Sequence, residues 1–235
     1  MRSQKSSPRR FRALDVGAGI GRVTADTLLP LIHDVVLLEP VESLLEAAVE
    51  QGHASAAQAP SKNESRLPLQ KRKWKGIADI SKSVTFLQGT LQACDPAHPL
   101  KTATFRARVG HKPLSPDDES GFDVVWCQWC LTYMTDADLV AFLKRSQAAL
   151  RKGGVIVVKE NLCKDGDGGV PEIHFDADDS SVMRYFLLSS LLFTVSRRHS
   201  RSDAYWKKIF HDAGLNLFHE RVQDGLPKGL FTVKM

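Results

Sequence analysis

A glycine-rich turn near the amino terminus constrains this 235-residue chain more than any other feature. The sequence Leu14-Asp15-Val16-Gly17-Ala18-Gly19-Ile20-Gly21-Arg22 follows a short apolar run that begins at Arg12. Three glycines at alternate positions let the backbone turn tightly and approach a ligand, and the N–H groups of a following helix favour negative charge. The pattern predicts a strand, a tight turn and a helix that together hold a nucleotide or a nucleoside.

Arg22 indicates which of the possible ligands this turn holds. A dinucleotide fingerprint starting at Gly17 would need glycine at position 22, for close packing beside a pyrophosphate. An arginine there can instead pair with a carboxylate. Glu39 ends the next apolar run, where an acidic side chain can accept hydrogen bonds from ribose hydroxyls. Ribose plus carboxylate, without pyrophosphate, describes S-adenosylmethionine, which we predict as the cofactor.

Apolar runs and amphipathic stretches alternate along most of the chain. Strands are predicted over 12–16, 33–38, 84–87, 122–127 and 155–159, and helices over 20–29, 41–50, 136–150 and 203–213. This alternation is typical of a doubly wound α/β domain, with a mostly parallel sheet between two helical layers. A terminal antiparallel hairpin is predicted over 215–222 and 229–234, and irregular loops are expected near 52–80 and 97–120.

Composition excludes several other classes of protein. The chain is 43% hydrophobic and 25% charged, as is ordinary for a globular protein. Its longest apolar stretch, near 185–195, is too short to cross a bilayer, and the basic amino terminus lacks the apolar segment of a secretory signal. We therefore expect one domain over 1–235, no membrane partner, and a cytoplasmic location, with the nucleus as a second.

Neither the cysteines nor the positive charge predicts a separate function. Cys127-Gln128-Trp129-Cys130 lies at a predicted buried strand and has no second cysteine pair, so we interpret the thiols as structural and expect no metal. The net charge of +5 comes from the amino terminus and from basic residues within 62–82. We interpret these as solvated loops and not as a nucleic-acid surface.

Four sequence blocks together resemble the α-N-terminal protein methyltransferases, which act on chains beginning Xaa-Pro-Lys or Xaa-Pro-Arg. The blocks are 14–22, Phe122-Asp123-Val124-Val125-Trp126-Cys127-Gln128-Trp129, 155–161 and 176–182, with 212–215 and 226–227 further on. Methyltransferases in general share only the first block. The resemblance implies a class I, Rossmann-like methyltransferase with a seven-stranded sheet. It also implies a monomer whose partners are protein amino termini, with ribosomal proteins among them.

The resemblance assigns roles to individual residues. Those implied to bind the cofactor are Gly17, Gly19, Arg22, Glu39, Leu91, Gln92 and Gln128. Trp129 would pack against the proline at the second substrate position, as an apolar ring on an aromatic face. Asp176 and Ser181 would receive the amino terminus and the third residue of the substrate.

Three residues are implied to act on the substrate amine. Asp179 would orient the ammonium group and accept its proton, and Asn161 would position it. Tyr133 stands where the family usually has a histidine. An alternative interpretation of Asp176 and Asp179 is a capping cluster before a helix.

The chain also departs from the family pattern. Only about ten residues precede the first predicted strand, where the family has a covering helical segment. Residues 183–200 and the two irregular stretches look additional, and Phe231 stands where the family can carry a tyrosine. We therefore interpret the chain as a fungal-type member with a shortened amino terminus and insertions.

Two other functions stay open on the sequence alone. The chain could methylate RNA or a small molecule with help from the basic residues 71–75, although an Asn/Asp-Pro-Pro-Tyr block typical of base methylation is replaced by Cys127-Gln128-Trp129-Cys130. It could also be a catalytically impaired module that only binds the cofactor.

Overall fold

One mixed β-sheet carries the fold of the computed structural model, which describes residues 9–57, 73–113, 120–170, 172–176, 198–226 and 231–235. Within these ranges its strands are β1 Arg12–Val16, β2 Asp34–Glu39, β3 Ser83–Gln88, β4 Thr104–Gly110, β5 Phe122–Gln128, β6 Leu150–Cys163, β7 Ile173–Asp176, β8 Arg198–Ser202 and β9 Thr232–Lys234. Their order is β4-β3-β2-β1-β5-β6-β8-β7, and β9 also pairs with β6.

The centre of the sheet is parallel and positions the glycine turn. Strand β1 pairs in parallel with both β2 and β5, so Val16 lies between Leu38 and Cys127. The chain runs from β1 outward through β2 and β3 to the edge strand β4, and then returns to the other side of β1 at β5. This reversal opens a crevice at the carboxyl ends of β1 and β5, which is where ligands bind in doubly wound sheets.

Helices cover both faces of the sheet. They are α1 Leu29–Leu31, which follows a π-helical turn Thr24–Leu28, and α2 Glu42–Ala57, α3 Pro99–Thr102, α4 Asp136–Ala148 and α5 Asp203–Asp212. Alternating side chains of β1 supply two cores. Leu14 packs in a cluster with residues of α4 and α5, whereas Ala13 packs in a cluster with residues of α1 and α2.

Hydroxyl side chains begin the two long helices on the first of these faces. Thr135 accepts a hydrogen bond from the Asp138 N–H at 3.2 Å before α4, and Ser202 accepts one from the Tyr205 N–H at 3.3 Å before α5. Each hydroxyl satisfies an N–H group that has no partner within its helix. These caps explain why the predicted starts of both helices, at 136 and 203, are confirmed.

The predicted α/β class is confirmed, and several details of the prediction are wrong. The sheet of the described residues has nine strands and not seven. Residues 215–222 contribute only one isolated bridge, between Val222 and Lys234, so the expected terminal hairpin is not formed as two strands. The helix predicted from residue 20 begins only at Arg22, because Gly21 still has a φ of +82°.

The two stretches expected to be irregular contain regular structure. Residues 97–120 include α3 and β4, and β4 pairs antiparallel with β3 at the edge of the sheet. Helix α2 continues to Ala57, and Trp74 and Ile77 are buried in the core beyond it. The apolar periodicity was too weak to reveal these elements, since β4 is largely exposed and α2 carries small residues at its end. No helix in the described ranges is long and apolar enough to cross a membrane.

Candidate active site

The glycine turn needs glycine for two separate reasons. Gly17, Gly19 and Gly21 have φ angles of +60°, +56° and +82°, in the left-handed region that side chains with a Cβ disfavour. A Cβ at Gly17 would also lie 2.4 Å from the Cβ of Cys130, and one at Gly21 would lie 2.9 Å from the Trp74 ring. The turn therefore packs closely against two other segments of the chain.

Glu39 faces the same turn from the end of β2. Its buried carboxylate accepts hydrogen bonds from the Gly19 N–H at 2.8 Å and from the Val41 N–H at 2.9 Å. Burial raises the pKa of Glu39 above its usual value. Each carboxylate oxygen has further acceptor capacity. The arrangement suits a ligand that donates hydroxyl hydrogens at this edge, as a ribose does.

Asp15 is a second buried carboxylate beside the turn, and no role was predicted for it from the sequence. It accepts a hydrogen bond from the Thr24 hydroxyl at 2.6 Å and so joins the end of β1 to the first helical turn. Burial raises the pKa of Asp15 to about 7, and the neighbouring Glu39 contributes in the same direction. An acidic residue inside an otherwise apolar run was the available sequence signal.

Asp15→Asn is expected to flatten the dependence of stability on pH. Protonated Asp15 contributes its full stability below the ordinary pKa of 3.8, and this contribution is lost as pH rises toward 7. Asparagine keeps an acceptor for the Thr24 hydroxyl without a charge. At pH 8 the variant should be more stable by roughly 2 to 4 kcal/mol, and near pH 4 the two proteins should converge.

Denaturant unfolding between pH 4 and pH 8 measures this difference. The matched control is Asp26→Asn, which changes an exposed aspartate in the same helical segment. Parallel stability curves for the parent and Asp15→Asn would contradict the assignment.

Trp129 follows β5 and has a strained backbone. Its φ is +55°, an outlier for a bulky side chain, and 39% of the residue is exposed. The Trp129 N–H donates to the Lys159 carbonyl at 3.0 Å, and the Lys159 ammonium lies 5.2 Å from the centre of the indole ring. Strain of this kind is found where function requires a fixed geometry. The backbone holds this aromatic side chain in a partly exposed position.

The turn after Trp129 is fixed by a buried acid. Glu160 accepts hydrogen bonds from the N–H groups of Cys130 and Leu131, both at 2.9 Å. Burial raises the pKa of Cys127 and of Cys130 well above the usual value, which keeps both side chains as unreactive thiols. Because Cys130 is the residue that faces Gly17, this turn joins the glycine turn directly.

The remaining residues predicted to bind the cofactor lie around this edge of the sheet. Gln128 ends β5, and its amide oxygen accepts a hydrogen bond from the Trp126 indole N–H at 3.3 Å. Arg22 is exposed at the start of the helical segment. Buried Leu91 and exposed Gln92 follow β3, whose last residue pairs with Glu39. Their roles in binding stay predictions.

The residues predicted to act on the substrate are only partly described. Asn161 is half-buried in β6, and Tyr133 is half-buried in the turn after Trp129. Asp176 is the last residue of β7, and nothing is described of its side chain. Asp179 and Ser181 lie outside the described residues, so the roles predicted for them rest on the sequence.

A buried arginine that sequence reasoning missed holds the turn beneath Tyr133. Arg201 of β8 is 0% exposed and donates to one Asp136 carboxylate oxygen from Nε at 3.0 Å and from Nη2 at 2.7 Å. Its Nη2 also donates to the Met134 carbonyl at 2.8 Å, and the Tyr205 hydroxyl donates to the other Asp136 oxygen. Within the described ranges, no group of three or more His, Cys, Asp or Glu side chains could hold a metal ion.

Relatives with assigned functions cover nearly the whole chain. Alpha N-terminal protein methyltransferase 1 of Arabidopsis thaliana is 33% identical over 95% of this chain and 57% of its own length. The Schizosaccharomyces pombe protein of the same name is 30% identical over 95% of this chain and 69% of its own length. N-terminal Xaa-Pro-Lys N-methyltransferase 1 of Homo sapiens is 28% identical, with 94% and 69% covered. The chain spans little more than half the length of the plant relatives.

Solved methyltransferase structures resemble this chain as well. A SAM-dependent methyltransferase from Leishmania major superposes with a TM-score of 0.60 and 28% identity, over 97% of this chain and 65% of that protein. The glycopeptide N-methyltransferase MtfA shares the fold, with a TM-score of 0.56 and 15% identity over 95% and 86% of the two chains.

The family model agrees with the resemblance carried by the four sequence blocks. A model described as AdoMet dependent proline di-methyltransferase matches residues 1–72 and 78–235. The match covers both the glycine turn with Glu39 and the strained turn at Trp129. The chain belongs to the family of AdoMet-dependent proline di-methyltransferases.

Proposed function

We propose that this chain transfers methyl groups from S-adenosylmethionine to the α-amino group of proteins that begin Xaa-Pro-Lys or Xaa-Pro-Arg. One observation carries the proposal: the close packing of Gly17 on Cys130 places the glycine turn beside the strained turn that holds Trp129. A methyl transfer needs such a contact between the cofactor site and the acceptor site. The relatives named for Xaa-Pro-Lys methylation support the substrate class.

The cofactor half of the site matches the charges of S-adenosylmethionine. Asp15 and Glu39 place two buried carboxyl groups beside the turn, which favours hydroxyl donors and, where the groups are ionised, a cationic sulfonium. Arg22 is exposed at the opposite end of the glycine motif and can pair with the carboxylate of the cofactor. When bound, the cofactor supplies the activated methyl group, and the chain supplies orientation.

The acceptor half offers an aromatic surface for proline. A pyrrolidine ring packs well on an indole face, and Trp129 is held for that purpose by its backbone bond to Lys159. Asn161 lies two positions further along β6 and can hydrogen-bond the first substrate residue. A glutamine in place of the substrate proline would lose the ring contact.

The reaction needs a neutral amine in line with the methyl group, and it needs water kept away. An α-amino group has a pKa near 8, so roughly a tenth is neutral at pH 7, whereas a lysine amine with a pKa near 10.4 is almost fully charged. The demand on a base is therefore modest. Asp179 takes the proton in this proposal, directly or through water, while Asn161 and Tyr133 hydrogen-bond the amine.

The test of the function compares three acceptors. The protein is incubated with labelled S-adenosylmethionine and a Ser-Pro-Lys peptide, a Ser-Gln-Lys peptide or total RNA. Label in the Ser-Pro-Lys peptide alone supports the proposal. Label in RNA alone contradicts it in favour of an RNA methyltransferase. Binding of the cofactor without label in any acceptor contradicts it in favour of a binding module.

Trp129→Ala is expected to lower kcat/KM for the Ser-Pro-Lys peptide by about a hundredfold, because an aromatic contact with proline is lost from the acceptor site. Trp129→Phe keeps an aromatic face and should retain most of the activity. The affinity for S-adenosylhomocysteine, measured by calorimetry, should change little in either variant. Equal peptide kinetics for the alanine variant and the parent would rule out this role for Trp129.

The proposal extends to the cellular context of the enzyme. We propose a monomeric enzyme in the cytoplasm, with the nucleus as a second location, and ribosomal proteins as substrates. Sedimentation of the purified protein and imaging of a tagged chain test the first two points.

A further inference from the structure

One side chain of α4 holds the loop that follows β3. Arg145 Nη2 donates to the carbonyl oxygens of Leu91 at 3.0 Å and Gln92 at 3.1 Å, and its Nε donates to the Cys94 carbonyl at 3.1 Å. Leu91 and Cys94 are buried, and Arg145 is half-buried. Three carbonyl groups of one short turn therefore converge on one guanidinium.

The same turn is held from its other side by Thr90. The Thr90 carbonyl accepts a hydrogen bond from the Cys94 N–H at 3.0 Å, and the Thr90 hydroxyl accepts one from the Ala93 N–H at 3.3 Å. Donors and acceptors of the backbone are thus both satisfied, which fixes the shape of the turn. A guanidinium presents its donors in a rigid planar fork, which suits carbonyls spread along one turn better than the compact ammonium of a lysine does.

The position of this turn relates it to the base of the cofactor. The glycine turn follows β1, Glu39 ends β2 beside it, and the Leu91 turn follows β3 on the far side of β2. If Glu39 receives the ribose, the base extends one strand further, toward β3. The loop after β3 is therefore the segment that meets the base.

We propose that Arg145 is a positioning residue for S-adenosylmethionine, which holds the Leu91–Gln92 segment in the shape that accepts the adenine. This inference rests on the proposed function, because it takes both residues as part of the cofactor site. Arg145 itself does not touch the cofactor. It removes the cost of ordering the loop during binding.

Calorimetric titration of the full chain with S-adenosylhomocysteine tests the role. Arg145→Met should weaken binding by about tenfold or more, because the loop must then be ordered on binding. Arg145→Lys should recover only part of the loss. The matched control is Lys144→Met, which removes an exposed charge from the adjacent position of α4 and should bind as the parent does. Far-ultraviolet circular dichroism and thermal melts check that each variant is folded. If Arg145→Met does not fold, Arg145→Gln takes its place in the comparison.

Kinetics separate positioning from a general structural defect. For Arg145→Met, KM for S-adenosylmethionine should rise by the same factor as the dissociation constant, while kcat at saturating cofactor and KM for the peptide stay close to the parent values. Unchanged cofactor affinity in Arg145→Met would overturn the inference and leave the proposed function intact. A fall in kcat with no change in the KM for cofactor would overturn it as well. The parent protein could bind the cofactor and yet methylate no peptide, in which case the proposed function fails. Weaker cofactor binding by Arg145→Met would still support the inference in that case.

Discussion

Gly17→Ala should destabilise the cofactor-free protein by several kcal/mol, whereas Gly19→Ala should lower its stability by only about 1 kcal/mol. Both residues are left-handed, with φ angles of +60° and +56°, so each alanine adds about 1 kcal/mol of backbone strain. Only at Gly17 does the new Cβ meet a neighbour, at 2.4 Å from the Cβ of Cys130. Overpacking at this contact adds about 1 to 3 kcal/mol, which brings the total loss to several kcal/mol.

Gly19→Ala should affect ligand binding more than it affects stability. A Cβ at Gly19 meets nothing within 4 Å, in the open space where the cofactor is predicted to lie. Gly19→Ala should therefore remain folded and lose affinity for S-adenosylhomocysteine. Denaturant unfolding and calorimetry measure the two quantities separately. Cys130→Gly in the Gly17→Ala background should restore part of the stability, and a failure to do so would show that the Cys130 contact is not the cause.

Arg201→Met should lower the free energy of unfolding by about 3 kcal/mol, because it removes the fully buried member of an ion pair and the donor to the Met134 carbonyl. The substitution leaves the Met134 carbonyl and the Asp136 carboxylate without their guanidinium partner. Lys208→Met is the matched control: its ammonium pairs with Asp212 on the surface, and exposed pairs of this kind contribute only a few tenths of a kcal/mol.

Unfolding in urea, monitored by tryptophan fluorescence, compares the two variants. Adding Asp136→Asn to Arg201→Met should recover part of the loss, since it removes a carboxylate that has lost its guanidinium partner. Equal free energies of unfolding for Arg201→Met and Lys208→Met would contradict this prediction. Because Arg201 also fixes the turn that carries Tyr133, lowered peptide turnover is expected alongside the lower stability.

The central strands could be predicted because each is buried on both faces. A strand between two helical layers is a nearly continuous apolar run, and the predicted bounds of β1 are those observed. Strand β4 had no such signal. Thr104, Phe105 and Arg106 are exposed, and the strand is held at the edge of the sheet by antiparallel bonds to β3. Its partners are distant in sequence, so local periodicity could not reveal it.

The candidate site also contains residues that the sequence predicted and residues that it did not. The glycine turn and Glu39 were predicted because a left-handed backbone and the end of a strand restrict which residue types can stand there. Arg145 and Arg201 were not predicted, because each reaches its partners across more than fifty positions of sequence. In a sequence pattern, a charged residue usually indicates a position on the protein surface. Only tertiary contacts reveal that these two are partly or fully buried.

Trp74 changes the significance of the segment between α2 and β3. Its N–H donates to the Ser55 hydroxyl at 3.0 Å, its ring stacks on Phe86, and the same ring lies against Gly21 of the glycine turn. A stretch of chain that looks like an addition to the family therefore packs directly against the glycine turn. A shortened chain made in the laboratory must therefore keep Trp74 in place.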